Sequence, residues 1–170
     1  MDTRDVLTDA YERINQAVHR VTVGLDEAAL AFRPDDDANP IGWLVWPLLR
    51  VQDHHISDLA GIEQAWIEDG WADRLGMTAD PEDHGYGHTS QQVAAVRITD
   101  PQILRDYADA VHTRTLRYVE SIDTAELERI VDTRWDPPVT AAVRLVSVIG
   151  DDLQHIGQAA YVRGLYERRG

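Results

Sequence analysis

Asp151 and His155 stand four residues apart in the run Gly150-Asp-Asp-Leu-Gln-His-Ile-Gly157. In a helix that spacing turns both side chains to one face. A carboxylate and an imidazole so placed offer two donors to a divalent ion such as Zn²⁺, Ni²⁺ or Mn²⁺. Two donors do not complete a stable site, so the pair asks for a third from elsewhere in the chain. The plainer reading is an i,i+4 pair that supports its own helix. Histidines that could supply the third ligand, or contact a substrate, are His54, His55 and His88, with His84 beside the last. Each has its own plain reading. His88 precedes Thr89-Ser90, a helix start, and His54-His55 with Ser57 and Asp58 suits a solvated helix face.

Composition limits the chemistry further. Thirty acidic against sixteen basic residues give a formal net charge of -14. That balance repels a phosphate backbone, so nucleic acid is not expected as a partner. Every cation is arginine, which removes Schiff-base chemistry and a lysine base. There is no cysteine, so disulfides, thiolate nucleophiles and Cys-ligated zinc are excluded, and any reacting thiol must be brought in. No apolar run approaches the roughly eighteen residues of a membrane span, and no apolar signal core opens the chain. A cytoplasmic protein without a membrane partner is the expectation.

Helices must position these groups. The 170 residues suit one domain, 1–170, built around a single core. A first helix is predicted over about Thr3 to Val23, ended by Gly24, on Val6, Leu7, Ala10, Ile14, Ala17, Val18 and Val21. Asn39 as N-cap and Pro40 at the first helical position open a second helix, which runs to about Ala60. Its stripe is Ile41, Leu44, Val45, Leu48, Val51 and Leu59, widened by Trp43 and Trp46. Glu63 to Trp71 reads as a short helical stretch, Gly76 to Thr89 as a long loop, and Ser90 to Arg97 as a short capped helix. Asp100-Pro101 starts a further long helix ending near Ser121, with Leu104, Tyr107, Ala108, Val111, Leu116 and Val119 inward. Thr124 to Arg134 reads as a polar connector. Pro137-Pro138 then launches a last helix, about Val139 to Glu167, with Val143, Val146, Ile149, Leu153, Ala160 and Tyr161 as expected core. Gly150, Gly157 and Gly164 recur in it at intervals of seven. Each costs about 1 kcal/mol in a helix interior, which close approach of another helix would justify. No strand alternation or internal repeat is evident. The expected architecture is all-α, a bundle of four long helices.

Four runs carry a resemblance over nearly the whole chain: Asn39-Pro-Ile-Gly-Trp-Leu-Val-Trp46, Val51-Gln-Asp-His-His55, Gly85-Tyr-Gly-His-Thr89 and Asp151-Asp-Leu-Gln-His-Ile-Gly-Gln158. Together they resemble the DinB/YfiT-like superfamily, and most closely its mycothiol S-transferase branch. More distantly they are similar to the metal-binding domain of mycothiol-dependent maleylpyruvate isomerase. The resemblance implies a four-helix bundle running up-down-down-up, often dimeric, with a divalent metal between helices. It implies ligands from one His on the second helix and from a His or carboxylate followed four residues later by His on the last. The latter two fall on Asp151 and His155, whereas the former falls on Pro47.

Proline offers no donor and is expected to kink the helix near Trp43 to Pro47. His54, seven residues on, lies about 10 Å further along the axis and cannot take its place. Trp43, one turn before Pro47, is expected to line a cavity with it, while Trp46, Trp66 and Trp71 read as core. Arg144 and Arg163 are candidates to grip an acidic substrate, or are simply solvated. Two functions follow. In the first, the resemblance implies a metal-dependent transferase that passes a mycothiol-type thiol to a small electrophile. In the second, the bundle has lost its metal and survives as a binding or stress-response module without catalysis.

Overall fold

The computed structural model describes residues 2–169. Four long helices carry it: α1 (Thr3–Thr22), α3 (Ile41–Ala60), α7 (Pro101–Ser121) and α9 (Ala141–Glu167). Between them lie the short helices α2 (Glu27–Leu30), α4 (Ala65–Glu68), α5 (Trp71–Arg74), α6 (Ser90–Ala95) and α8 (Thr124–Glu128). A two-stranded antiparallel hairpin, β1 (Ile130–Asp132) and β2 (Val139–Thr140), leads into α9.

The helix starts follow from their caps. Asp2 and Asp5 make a reciprocal capping box for α1, and Thr89 and Gln92 make one for α6. Asp100 accepts the Gln102 N–H at 2.8 Å ahead of Pro101 in α7. Thr140 accepts the Val143 N–H in α9. At α3 the N-cap is Pro40 and no side chain caps the helix, so the expected role of Asn39 passes to its neighbour.

Cross-helix hydrogen bonds fix the directions. Asn15 and His19 of α1 both reach Asp109, while Arg105 reaches Thr22, so α1 and α7 are antiparallel. Arg144 reaches His55 and the His155 ring packs near Trp43, so α3 and α9 are antiparallel, and Gln52 and Asp53 of α3 bond to Thr115 and Tyr107 of α7. Tyr11 reaches the Leu145 carbonyl and Arg163 the Val21 carbonyl, so α1 and α9 run together. Up-down-down-up is therefore the order, and the fold is all-α apart from the small hairpin. The core joins Tyr11, Ile14 and Val18 of α1 to Leu44, Trp46 and Leu48 of α3, with α7 and α9 closing the far side.

Several expectations change. The apolar face expected to build the core from α9 points outward: Val143 is 54%, Val146 65%, Leu153 51% and Tyr161 66% exposed. Leu145, Val148, Asp152, Ile156, Ala159 and Val162 face inward instead. The helix carries two apolar stripes, and the bundle uses the one that contains an aspartate. Among the described residues nothing lies within 4 Å of a Cβ placed on Gly150 or Gly157, so none of their helices approaches those glycines. Val6 is exposed and Tyr11 takes its place in the core. In α7, Thr115 and Tyr118 are buried where Leu116 is only partly so. The expected connector 124–134 holds α8 and β1, and α9 starts at Ala141 because residues 139–140 pair with β1. The stretch 63–71 divides into α4 and the start of α5.

Candidate functional site between α3 and α9

Helices α3 and α9 lie side by side and antiparallel. Arg144 donates to His55 at 2.8 Å at one level, and the rings of His155 and Trp43 are 5.9 Å apart at another. Pro47 falls between those levels, alongside Asp151. Helix α3 runs through Pro47 without interruption, although Trp43 loses its helical N–H partner there.

Asp151 Oδ2 and His155 Nε2 are 3.8 Å apart, too far for a hydrogen bond but close enough for both to face one point. Asp151 Oδ2 and His155 Nδ1 are buried with no hydrogen-bond partner. Next to them Asp152 is fully enclosed, both carboxyl oxygens are unpartnered, and burial pushes its carboxyl well above the usual range, with Asp151 adding to the effect. One turn of α9 therefore gathers three polar groups that the chain itself leaves unsatisfied.

The loop 77–89 covers this seam. Gly85 has φ +83°, and a Cβ there would stand 3.0 Å from Pro47 Cβ, 3.2 Å from the Trp46 ring and 3.4 Å from the Trp43 ring. Only glycine meets both requirements, the left-handed backbone and the close approach. The Gly85 backbone thus packs directly against Trp43 and Pro47, and neither lines the grooves flanking α9. An open groove of about 630 Å³ begins a turn past His155, lined by Asn39, Leu44, Gln158, Tyr161 and Val162. A larger hollow, about 1290 Å³, lies elsewhere, at the end of α3, where Arg114 and Arg129 are already paired with Glu68, Asp69 and Glu126.

The remaining histidines do not converge on Asp151 and His155. Trp43 Nε1–H donates to His88 Nδ1 at 3.2 Å, and His88 Nε2 lies 2.9 Å from Asp83. Both ring nitrogens are committed, one as acceptor and one as donor. His55 Nδ1 accepts from Arg144, which places the ring proton on Nε2 and leaves no free lone pair. Burial, with Arg144, His54 and His84, lowers its pKa to about 3. His54 Nδ1 is 3.2 Å from the Pro81 carbonyl, and its ring sits 5.0 Å from His55 and 5.5 Å from His84. This cluster surrounds the level of Arg144, about 10 Å along α9 from Asp151. Among the described residues no group of three or more His, Asp or Glu is disposed to hold an ion. The donors present do not fit a three-ligand metal centre, because Pro47 supplies none and the nearest imidazoles are engaged.

Arg144 is no solvated cation, since it joins His55 to Asp132, whose carboxyl is held well below the usual range by Arg134 and then Arg144. Arg163 donates to the carbonyls of Arg20, Val21 and Val23 and pairs with Glu167, which ties α9 to the end of α1.

Sequence reasoning passed over Arg50 and Asp53. Arg50 is fully buried and donates to the carbonyls of Asp80, Pro81 and Asp83 and to Gln64, with Trp66 under its guanidinium at 4.6 Å. Asp53 accepts from the backbone N–H of Ala65 and Trp66 and from Tyr107. Arg50 places the loop over the seam, and Asp53 fixes the start of α4. A charged pair three apart directly after the apolar run from Pro40 to Leu49 was the available signal.

A four-helix bundle running up-down-down-up, with a carboxylate and an imidazole facing a seam under a loop, is a DinB-like helical fold. The chain belongs to the mycothiol-S-transferase family, whose model matches residues 4–168. It is similar to a conserved protein from Enterococcus faecalis of solved structure, with 29% identity, 97% of each chain covered and a TM-score of 0.89. No curated protein matches. No helix of the described residues is long and apolar enough to cross a membrane.

Proposed function

We propose that this chain is a thiol-binding module of the mycothiol-S-transferase family that has kept Asp151 and His155 without a complete metal centre. The observation that carries the reading is the contact of Pro47 with Gly85, where the resemblance implies a histidine ligand. Family membership supports a small thiol as ligand. His155 offers the thiol S–H an imidazole nitrogen that nothing else in the chain occupies. The organic body of the ligand lies along the groove past Gln158 and Tyr161. The second reading, a metal-dependent thiol transferase, is favoured by the unsatisfied Asp151 Oδ2 and His155 Nδ1, which a cation or its bound water would satisfy.

One set of measurements separates the two. Protein purified without an affinity tag is analysed for metal and then titrated with Zn²⁺, Ni²⁺, Mn²⁺ and mycothiol. Binding-module behaviour is sub-stoichiometric metal, no thermal stabilisation by any of the three ions, and thiol binding that His155→Ala abolishes. One equivalent of metal that disappears in Asp151→Ala, together with turnover of an electrophile, would overturn it. Pro47→His is the restoring variant: replacing proline recovers the helical N–H and supplies the missing donor, and metal affinity is expected to rise more than tenfold. Unchanged affinity would mean that position 47 does not face the ion.

A further inference from the structure

Helix α3 ends in a turn that leaves an apolar side chain over open space. Gly61, at φ +65°, lets the Ile62 N–H return to the Ser57 carbonyl at 3.0 Å. A hydrophobic residue after such a turn ordinarily packs back on its own helix. Ile62 is 47% exposed instead, and with Leu59, Ala60 and Ala125 it forms the apolar wall of the hollow of about 1290 Å³ at the end of α3. Pro47 lies about 18 Å away along α3, so this hollow is separate from the seam of Asp151 and His155.

Its charged groups sort into locked and open ones. Arg114 is held by the Glu63 carbonyl at 2.8 Å, by Glu68 at 2.8 Å and by Asp69 at 3.1 Å. Arg129 is held by the Leu59 carbonyl at 2.8 Å and by Glu126 at 2.7 Å, and Glu126 also accepts from Tyr118 at 2.6 Å. These bonds join α7 to α4 and α8 to α3, so the walls are preformed. Arg117, one turn beyond Arg114 on the same face of α7, also lines the hollow, and among the described residues it has no hydrogen bond or ion pair. Two lining carboxylates keep an oxygen open among the described residues. Glu63 uses its other oxygen for the Gln64 N–H, and Asp123 uses its other for the Glu126 N–H at the start of α8.

We infer that this hollow binds a small apolar zwitterion, an amino acid or short peptide with both ends free. Its carboxylate pairs with Arg117, its ammonium with Glu63 or Asp123, and its side chain lies against Leu59 and Ile62. The balance of charge selects this class. With Arg114 and Arg129 neutralised, a cation and two carboxylates remain beside the apolar wall. A simple anion is repelled by Glu63 and Asp123, and a simple cation by Arg117. A molecule carrying both charges pairs with both. The volume exceeds the roughly 300–1,000 Å³ of ordinary small-molecule pockets, which leaves room for more than one residue. The inference does not depend on what Asp151 and His155 bind.

Isothermal titration calorimetry of the full chain with leucine and with leucyl-leucine tests it. Binding is expected from at least one, and the tighter of the two tells a free amino acid from a peptide. That probe is then titrated as its N-acetyl and its amide derivative, each expected to bind roughly tenfold more weakly. Arg117→Gln removes no bond of the folded chain, so its melting temperature is expected to match the wild type's. Its affinity for the probe is expected to fall roughly tenfold, and its preference for the free carboxylate over the amide to disappear. Ile62→Ser is expected to weaken the free and blocked probes alike. No binding of either probe at millimolar concentration, equal affinity for the blocked derivatives, or Arg117→Gln binding as tightly as the wild type would overturn the site. Displacement of the probe by mycothiol would place it in the seam instead and overturn the site as well.

Discussion

Trp43 and His88 are joined by a hydrogen bond from the indole N–H to Nδ1, 3.2 Å long, between α3 and the end of the covering loop. With Asp83 on its other nitrogen, His88 is a strut between loop and helix. His88→Ala removes both bonds and leaves the Trp43 N–H enclosed, which is expected to cost about 1–3 kcal/mol. Chemical denaturation reads the loss, and hydrogen exchange across residues 83–88 should speed up with it. Unchanged exchange would show that the strut does not hold the loop.

Gly85 and Gly87 separate backbone strain from crowding. Both have positive φ, but a Cβ on Gly87 meets open space, whereas one on Gly85 meets Pro47 at 3.0 Å. Gly87→Ala is expected to cost roughly 1–2 kcal/mol from its left-handed backbone. Gly85→Ala adds about 1–3 kcal/mol of overpacking. Equal melting temperatures for the two variants would contradict the close contact of loop and helix.

His55 gives the protein an acid-sensitive joint. Its folded pKa of about 3 lies below the ordinary value of 6.5, because burial and Arg144 disfavour the cation. A depressed histidine contributes stability above its unfolded value, and that stability is lost as pH falls from 6.5 towards 3. His55→Gln is expected to lower stability at pH 7 but to flatten the fall between pH 6.5 and 4, measured by urea denaturation at each pH. An acid limb as steep as the wild type's would place the titration elsewhere.

Asp152 is the opposite case, a carboxyl enclosed on all sides without a donor. Leucine has nearly the same branched shape, so Asp152→Leu is expected to stabilise the fold by about 1–3 kcal/mol at neutral pH. A destabilised variant would mean that the carboxyl has a partner, such as a buried water or a ligand, and would revive the case for an ion beside Asp151.

How far the sequence carries depends on the element. Helices α1, α3 and α7 each hold one dominant apolar stripe, and caps such as Asp100-Pro101 mark their starts, so their extents were legible. In α9 a stripe through Val143, Val146 and Leu153 competes with one through Leu145, Val148 and Ile156. Periodicity cannot choose between two apolar faces, and the inward one was the less obvious because Asp152 interrupts it. The i,i+4 spacing of Asp151 and His155 was readable, but the engagement of His55 by Arg144 and of His88 by Trp43 joins residues 89 and 45 positions apart. No local pattern encodes such pairs. The hairpin was missed because two- and three-residue strands are too short to alternate.

The grip of Arg50 on three loop carbonyls sets how the seam is reached. Lifting the loop would take three carbonyl partners from the buried Arg50 guanidinium and leave it Gln64, Tyr107 and Asp53 at 3.7 Å, so the cover does not swing aside as a light flap. Under the proposed function the thiol therefore enters sideways, past Tyr161 and Gln158 along α9. On that proposal, residues at the entrance, rather than mobility of the loop, set the size of the ligand.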